Sequence, residues 1–380
     1  MKSDERPADT RPAHAAVDLS ALRANLRGVR ARVGRHPRIM AVVKANAYGH
    51  GMLPLVKSVL DHGSAQYFGV AIPEEGRLLR AFFPSVPVHV FTAPLKEQAP
   101  LFAEHGLEAT ACDFAVVKAL NAAGARAGRA VAVHVKVDTG MGRIGVTPEE
   151  THAFVRAVQA LPWIELKGIW THFATSDEKD LTFARRQLSE FRSVVTSLEL
   201  AGVHVPLVHC ANSGAIMQMP ESYFDMVRPG IMMYGYAPSH ETRATVPLRP
   251  VMSVKATVGF VKRVAKGTSI SYGRRYVAKR ATTIASVTFG YADGYFRRLT
   301  GSARVLIRGR SYPVAGTVCM DQIMVDVGND AVRTGDEVVL IGRSGRRTIT
   351  GWDVADAAGT IPYEVTCAVS QRVPRRYIHG

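Results

Sequence analysis

The hydrophobic periodicity of this chain changes once, near residue 245, and that change restricts the fold more than any other feature. Upstream of it, short apolar runs alternate with helical patterns. Candidate strands lie at 39–44, 67–72, 86–91, 107–111, 131–137, 164–172, 207–210 and 224–227. Amphipathic stretches separate them. The clearest spans 181–200, where Phe183, Leu188, Phe191, Val194, Val195 and Leu198 recur at largely helical spacing. Strands that alternate with helices build a parallel sheet through crossover connections. Eight such strands predict a (β/α)8 TIM barrel, an α/β fold whose chemistry sits at the C-terminal strand ends.

Downstream, the chain passes Pro238, Pro247 and Pro250 and the period falls to two. Met252, Val254, Ala256, Val258 and Phe260 alternate with Ser253, Lys255, Thr257 and Gly259, the pattern of a half-buried strand. Further β-rich runs follow at 284–288, 305–308, 324–327 and 338–341, several separated by glycine turns such as 309–310 and 342–345. The expected organisation is a flexible polar leader over 1–14, the barrel over 15–245 and a mostly β C-terminal domain over 246–380.

Charge and cysteine usage narrow the function classes. Lys and Arg outnumber Asp and Glu by 48 to 32, a net +16 that could attract nucleic acid. The basic residues are dispersed, however. Arg23, Arg27 and Arg30 form one stripe of a helix whose Leu22, Leu26, Val29 and Val33 form the adjacent apolar stripe, and no recognition motif accompanies them. No nucleic-acid partner is expected. No run approaches the ~18 apolar residues of a membrane-spanning helix, and the N-terminus lacks the apolar core of a secretory signal. The expected compartment is the cytoplasm. Cys112, Cys210, Cys319 and Cys367 are widely spaced, which suggests buried apolar residues rather than a metal site or disulfide framework.

The segment from Ala41 to Gly51 is the sharpest local feature. An apolar strand delivers Lys44 to its C-terminal end, where partial desolvation lowers an amine's pKa and frees it for a Schiff base. Tyr48, Gly49 and Gly51 follow, offering a hydroxyl and backbone amides to an anion. Taken alone, the segment also fits a lysine snorkelling before a glycine turn.

VVKANAYGHG at 42–51 resembles the cofactor-lysine motif of the alanine racemase family. Further motifs of that family stand in order: VKVDTGMGRIG at 135–145, THFA at 171–174, HCANSGA at 209–215, VRPGIMMYG at 227–235, SYGRRY at 271–276, GYADG at 290–294, GTVCMDQ at 316–322 and TIPYE at 360–364. The likeness covers about residues 15–378. It implies a pyridoxal 5'-phosphate enzyme that racemises alanine with two bases, Lys44 on one face and Tyr272 on the other. An ordinary phenol titrates near ~10, and His172 is similar to the family histidine that biases Tyr272 toward phenolate. The family places this tyrosine in the partner's site, implying a homodimer with shared active sites and a small amino-acid substrate.

The same resemblance implies the remaining roles. Arg228 would hydrogen-bond the pyridine nitrogen, supported by His209, and Arg143 the ring oxygen. Tyr48, Asn212, Ser213, Gly230, Ile231 and Tyr363 would cradle the phosphate, although Asn212 and Ser213 also read as plain helix caps. Met320 and Asp321 would meet the substrate carboxylate, with Cys319 beside them. Lys136 resembles a lysine that is carbamylated in many relatives. Arg297, Asp177 and Ile361 match positions of the entrance channel, where relatives often carry arginine in place of Thr317. That departure leaves a broader-specificity racemase, acting on serine or larger amino acids, as an alternative. A non-catalytic pyridoxal-phosphate carrier on the same barrel is another. No metal is expected.

Overall fold

A computed structural model describes residues 10–380. The described residues divide into two compact units, one of residues 22–47 and 52–249 and the other of residues 10–21, 48–51 and 250–380.

Strand β1 (His14–Asp18) belongs to the second unit, and the next eight strands form the first. These are β2 (Arg38–Val42), β3 (Tyr67–Val70), β4 (Val88–Val90), β5 (Ala109–Ala111), β6 (Val131–Lys136), β7 (Ile164–Trp170), β8 (Leu207–His209) and β9 (Met226–Val227). Parallel ladders run in the orders β4-β3-β2-β9 and β5-β6-β7-β8. One seam is joined where the Val90 and Glu108 backbones pair at 2.9 Å beside the His89–Glu108 bridge. The other is joined where Asp225 N–H donates to Val208 O at 3.1 Å and Val208 N–H to the Asp225 carboxylate at 2.8 Å. The eight strands thus close into the expected barrel. Ile39, Met40, Ala41, Val88, Val90, Val133 and Val135 are fully buried, which is why these strands read as continuous apolar runs rather than alternations.

The helices follow their stripes. Leu22, Leu26, Val29 and Val33 are buried along the helix Leu19–Val33. In the helix Thr182–Leu200, Leu188, Phe191, Val194, Val195 and Leu198 face the core, but Phe183 is exposed. Ala184 and Gln187 occupy the core register instead, one position off the apolar pattern.

The second unit is built on β1 with β10 (Met252–Val264), β11 (Ser269–Ile270), β12 (Tyr276–Val277), β13 (Thr282–Val287), β14 (Arg304–Ile307), β15 (Arg310–Pro313), β16 (Ile323–Gly328), β17 (Glu337–Ser344), β18 (Arg347–Ile349) and β19 (Arg375–Ile378). Its main sheet runs β15-β14-β17-β10-β1-β19, with β13 and β16 extending from β10 and β18 from β17. Residues 252–257 of β10 alternate in and out as the period of two requires.

The structure departs from two expectations. Residues 15–18 leave the expected barrel stretch: β1 pairs antiparallel with β10 and parallel with β19, and its buried Ala15 and Val17 carry a period of two. The expected flexible leader lies outside the described residues at 1–9, but 11–14 are anchored. Arg11 pairs with Asp293, Pro12 O accepts the Thr257 hydroxyl at 2.9 Å, and Ala13 is fully buried. The turn expected at 342–345 also shifts. Gly342 lies within β17 at φ +124°, where a Cβ would sit 2.8 Å from Ser253 Cβ, and only a glycine allows that approach.

Candidate active site

Lys44 stands two residues beyond β2, half-buried. The backbone then turns left-handed at Ala45, Asn46, Ala47 and Tyr48, with φ between 51° and 54°. Each non-glycine residue held there costs about 1–2 kcal/mol, so the surroundings must impose the turn. Glu75 does so with both oxygens, accepting N–H from Ala45 at 2.6 Å and from Ala71 at 2.8 Å. Asn46 Oδ1 accepts Met52 N–H at 2.8 Å, and Ala47 N–H reaches Val43 O at 2.8 Å. Glu75 was not visible as a site residue, because a glutamate in a helix's first turn carries no signal of what it holds.

Within the second unit, Gly49 follows at φ +81°. A Cβ there would lie 2.1 Å from Thr366 O, so the residue is fixed as glycine. Tyr48 is buried with its ring 5.8 Å from that of Tyr363, and burial, helped by Cys367, pushes its phenol above the usual tyrosine range.

Arg228, 3% exposed, follows β9 and organises the barrel interior. It donates to His209 Nδ1 at 2.8 Å, to Thr171 O at 2.8 Å, to Cys210 O at 2.9 Å and to His172 Nδ1 at 3.3 Å. Burial pushes its guanidinium down to about 10, which still leaves it charged at neutral pH. Because a guanidinium only donates, the tautomers beyond it are determined. His209 Nδ1 accepts, so His209 Nε2 carries the proton and donates to His134 Nδ1 at 3.0 Å. His134 Nε2 then donates to Glu108 at 2.8 Å. Burial first, and Arg228 second, hold His209 well below the ordinary histidine range and hence neutral. His89, Glu108 and His134 bring three ligating atoms within 4.8 Å. The tautomer imposed by Arg228 puts a proton on His134 Nε2, where a metal would need the lone pair. His134 and Glu108 were not anticipated from sequence. Glu108 lies just before β5 and His134 within β6, and no sequence spacing links them.

His172 receives an Arg228 N–H on Nδ1, so its Nε2 carries the proton. Burial, then the charges of Arg228, Arg143, Lys136 and Lys44, hold it well below its ordinary range. Gln187 steadies it by donating to His172 O at 3.2 Å and accepting Ala174 N–H at 2.9 Å. Lys136 at the end of β6 is 1% exposed, with Nζ 2.6 Å from Val137 O and 5.2 Å from the Trp170 ring centre. Burial pushes its amine down to about 8, with Asp138 opposing. Arg143 is exposed on the loop after β6. Asp138 shapes that loop by accepting N–H from Gly140, Met141 and Gly142 at 2.9–3.1 Å.

After β8 and β9 two short helical turns are joined through Ser213, whose Oγ accepts Gly230 N–H at 2.9 Å and Met232 N–H at 3.4 Å. Asn212 caps the helix Ser213–Gln218, accepting Ala215 N–H at 3.0 Å, so its capping role is realised. Ile231 opens the second turn. A hydroxyl and helix-start amides with no carboxylate among them suit a phosphate, and with Lys44 and buried Arg228 in the same barrel this donor set fits pyridoxal phosphate.

In the second unit, Tyr272 is 71% exposed and Met320 52% exposed. The Met320 loop is held by Tyr291 N–H on Cys319 O and Ala292 N–H on Met320 O, both 3.0 Å, while Asp321 pairs with Arg372 at 2.7 Å. Ile361 and Arg297 are exposed. In the barrel unit, burial raises the Asp177 carboxyl above its ordinary value. Thr317 departs from the channel expectation. It is 2% exposed, and its hydroxyl donates to Tyr272 O at 2.7 Å. The Lys44 neighbourhood belongs to the barrel unit and the Tyr272 neighbourhood to the second unit.

Residues 17–238 match the family described as alanine racemase, N-terminal domain, and residues 251–377 the alanine racemase, C-terminal domain. An alanine racemase of Halothermothrix orenii is 45% identical over 369 residues, 97% of each chain. The solved alanine racemase of Clostridium difficile 630 superposes with a TM-score of 0.92 at 36% identity, covering 97% of this chain and 96% of that one. That of Bacillus anthracis, solved with bound L-Ala-P, superposes at 0.91 and 36% identity with the same coverage. Matched through both domains and along nearly its whole length, this chain belongs to the alanine racemase family.

Proposed function

We infer that this chain interconverts L- and D-alanine, taking the α-proton from one face of the substrate and returning one to the other. The observation that carries the reading is Lys44, raised at the end of a barrel strand on a left-handed turn that Glu75 and Asn46 brace. Relatives named alanine racemase along their whole length support alanine as the substrate. They do not favour the carrier reading. The broader-specificity reading drew on Thr317 as a channel residue, and buried Thr317 does not supply that motive.

Pyridoxal phosphate, when bound, supplies the electron sink that makes an α-carbon–hydrogen bond acidic. Lys44 would hold it covalently and act as the base of one face. Ser213, Gly230 and Ile231 would bind its phosphate, with Asn212 fixing the turn that carries Ser213. Tyr48 and Tyr363 are assigned to the same phosphate by family likeness, and Arg143 to the ring oxygen. Arg228 would donate to the ring nitrogen. It pairs with no carboxylate among the described residues, so it offers hydrogen bonds there without the full ring charge that an acidic partner would induce. That favours simple proton return over competing chemistry.

His172 contributes through its tautomer. With Nδ1 occupied by Arg228, its Nε2–H donates, and a donor of this kind stabilises a phenolate. The acceptor proposed for it is the partner subunit's Tyr272, the base of the second face. The exposure of Tyr272 and Met320 supports a homodimer in which each subunit completes the other's site, with Met320 and Asp321 meeting the substrate carboxylate. Lys136, a desolvated amine near cationic Arg143 and Arg228, is suited to carbamylation. No helix of the described residues is long and apolar enough to cross a membrane. A cytoplasmic enzyme supplying D-alanine for peptidoglycan is the proposed setting.

Chiral separation of products from L-alanine, beside L-serine and L-lysine, tests the reading. Rapid approach of alanine to an equal mixture, with the others slow, is expected. Faster conversion of serine or lysine would move the substrate, and no conversion of any would overturn the function.

A further inference from the structure

The Tyr272 turn is strained and its side chain has little packing within its own chain. Ser271 and Arg274 hold positive φ of 66° and 52° without being glycine, and Gly273 between them is at 71°. Where a side chain is 71% exposed, its place is set by its backbone. That backbone is tied to one partner segment. The Thr317 hydroxyl donates to Tyr272 O at 2.7 Å, and the Ser271 hydroxyl donates back to Thr317 O at 2.6 Å. Cys319 Sγ lies 3.4 Å from the Ser271 hydroxyl. Gly316, at φ +85°, permits the approach, since a Cβ there would meet Ile270 O at 2.6 Å. Thr317 is buried, so its hydroxyl has little access to competing water.

We propose that Thr317 is a positioning residue for the second base: through this reciprocal clasp it fixes the Tyr272 backbone against the loop that carries Met320. The inference rests on Tyr272 being that base. Losing the hydroxyl leaves the Tyr272 carbonyl without its donor and releases a turn that has no intrinsic preference for its observed dihedrals. A displaced phenol slows proton transfer on its own face and leaves the Lys44 face untouched.

The test uses holoenzyme of Thr317→Val, which keeps the shape and removes the hydroxyl, and of Thr317→Ser, which restores it. In Thr317→Val, kcat is expected to fall about tenfold with KM changed less than twofold. The α-deuterium isotope effect should rise only in the direction in which Tyr272 removes the proton. Thr317→Ser should return kcat to within about threefold of wild type. Exchange of the α-hydrogen with D2O on the Lys44 face should persist in Tyr272→Phe and be unchanged on adding Thr317→Val. Wild-type kcat and isotope effects in Thr317→Val, with Tyr272→Phe unable to racemise, would overturn the clasp alone. A fall in Lys44-face exchange on adding Thr317→Val would show a general structural role and overturn it as well. Full racemisation by Tyr272→Phe would instead overturn the assignment of the base.

Discussion

Lys136 should make the protein's stability depend on pH in a way that its replacement abolishes. The amine is 1% exposed, and burial pushes it from the ordinary 10.5 down to about 8. That difference corresponds to about 3 kcal/mol against the charged form. In the unfolded chain the amine titrates normally. Below about pH 8 both states are protonated and the full penalty is present. Between about 8 and 10.5 the native chain gives up its proton while the unfolded chain keeps it, so stability rises with pH. Above 10.5 both are neutral and the penalty is gone. Lys136→Met fills a similar volume without the charge. Urea midpoints of wild type and Lys136→Met, measured from pH 7 to 11 in CO2-free buffer, isolate this one group because other titrations cancel in the difference. Wild type should gain about 3 kcal/mol relative to the variant across that range. Bicarbonate added at pH 7.5 should raise wild-type stability relative to the variant at that pH, since the neutral amine attacks CO2, sheds a proton to the buffer and becomes an anion in the field of Arg143 and Arg228. A flat difference curve without CO2 would refute the premise that the ammonium is desolvated.

Glu108→Gln keeps an acceptor for the His134 N–H and should cost under about 1 kcal/mol, whereas Glu108→Ala strands a buried donor and should cost about 1–3 kcal/mol. Equal losses in chemical denaturation would show that charge rather than hydrogen bonding is what matters at Glu108. Gly49→Ala forces a Cβ to within 2.1 Å of the Thr366 carbonyl and should lower stability by more than about 2 kcal/mol in the same assay, and a wild-type melting profile would contradict the described packing. Lys44→Ala should lose the visible absorbance of covalently bound cofactor after purification, and retention of that band would remove the lysine from its assigned role.

The barrel was legible because its strands are buried on both faces and its helices carry clear stripes, so period and length agree. β1 was missed as part of the second unit because five residues with two buried positions, Ala15 and Val17, look like any short strand, and pairing partners more than 200 residues away leave no local mark. Phe183 misled for a related reason: periodicity reports apolar residues, and the helix seats Gln187 in its buried register. For the candidate site, motif likeness proposed Lys44, Arg228 and Tyr272, but not the residues that brace their neighbourhoods. Glu75 braces a turn, Gln187 steadies His172 and Glu108 ends a histidine chain. Each is an ordinary polar residue whose work is a long-range hydrogen bond. Thr317 is the instructive case. Sequence comparison framed it as a missing arginine, and the fold gives it a positive task as a donor to the Tyr272 backbone.

If Lys44 and Tyr272 act as bases on opposite faces, as proposed, isotope incorporation during the first turnovers records it. Holoenzyme is mixed with L-alanine in D2O, and early D- and L-alanine are separated and weighed by mass spectrometry. Two bases would place deuterium at the α-carbon of nearly every D-alanine formed, because the proton returned comes from a different group than the one removed. D-alanine that keeps its original protium would mean that one group carries the proton across, and the Lys44 and Tyr272 assignment would be wrong.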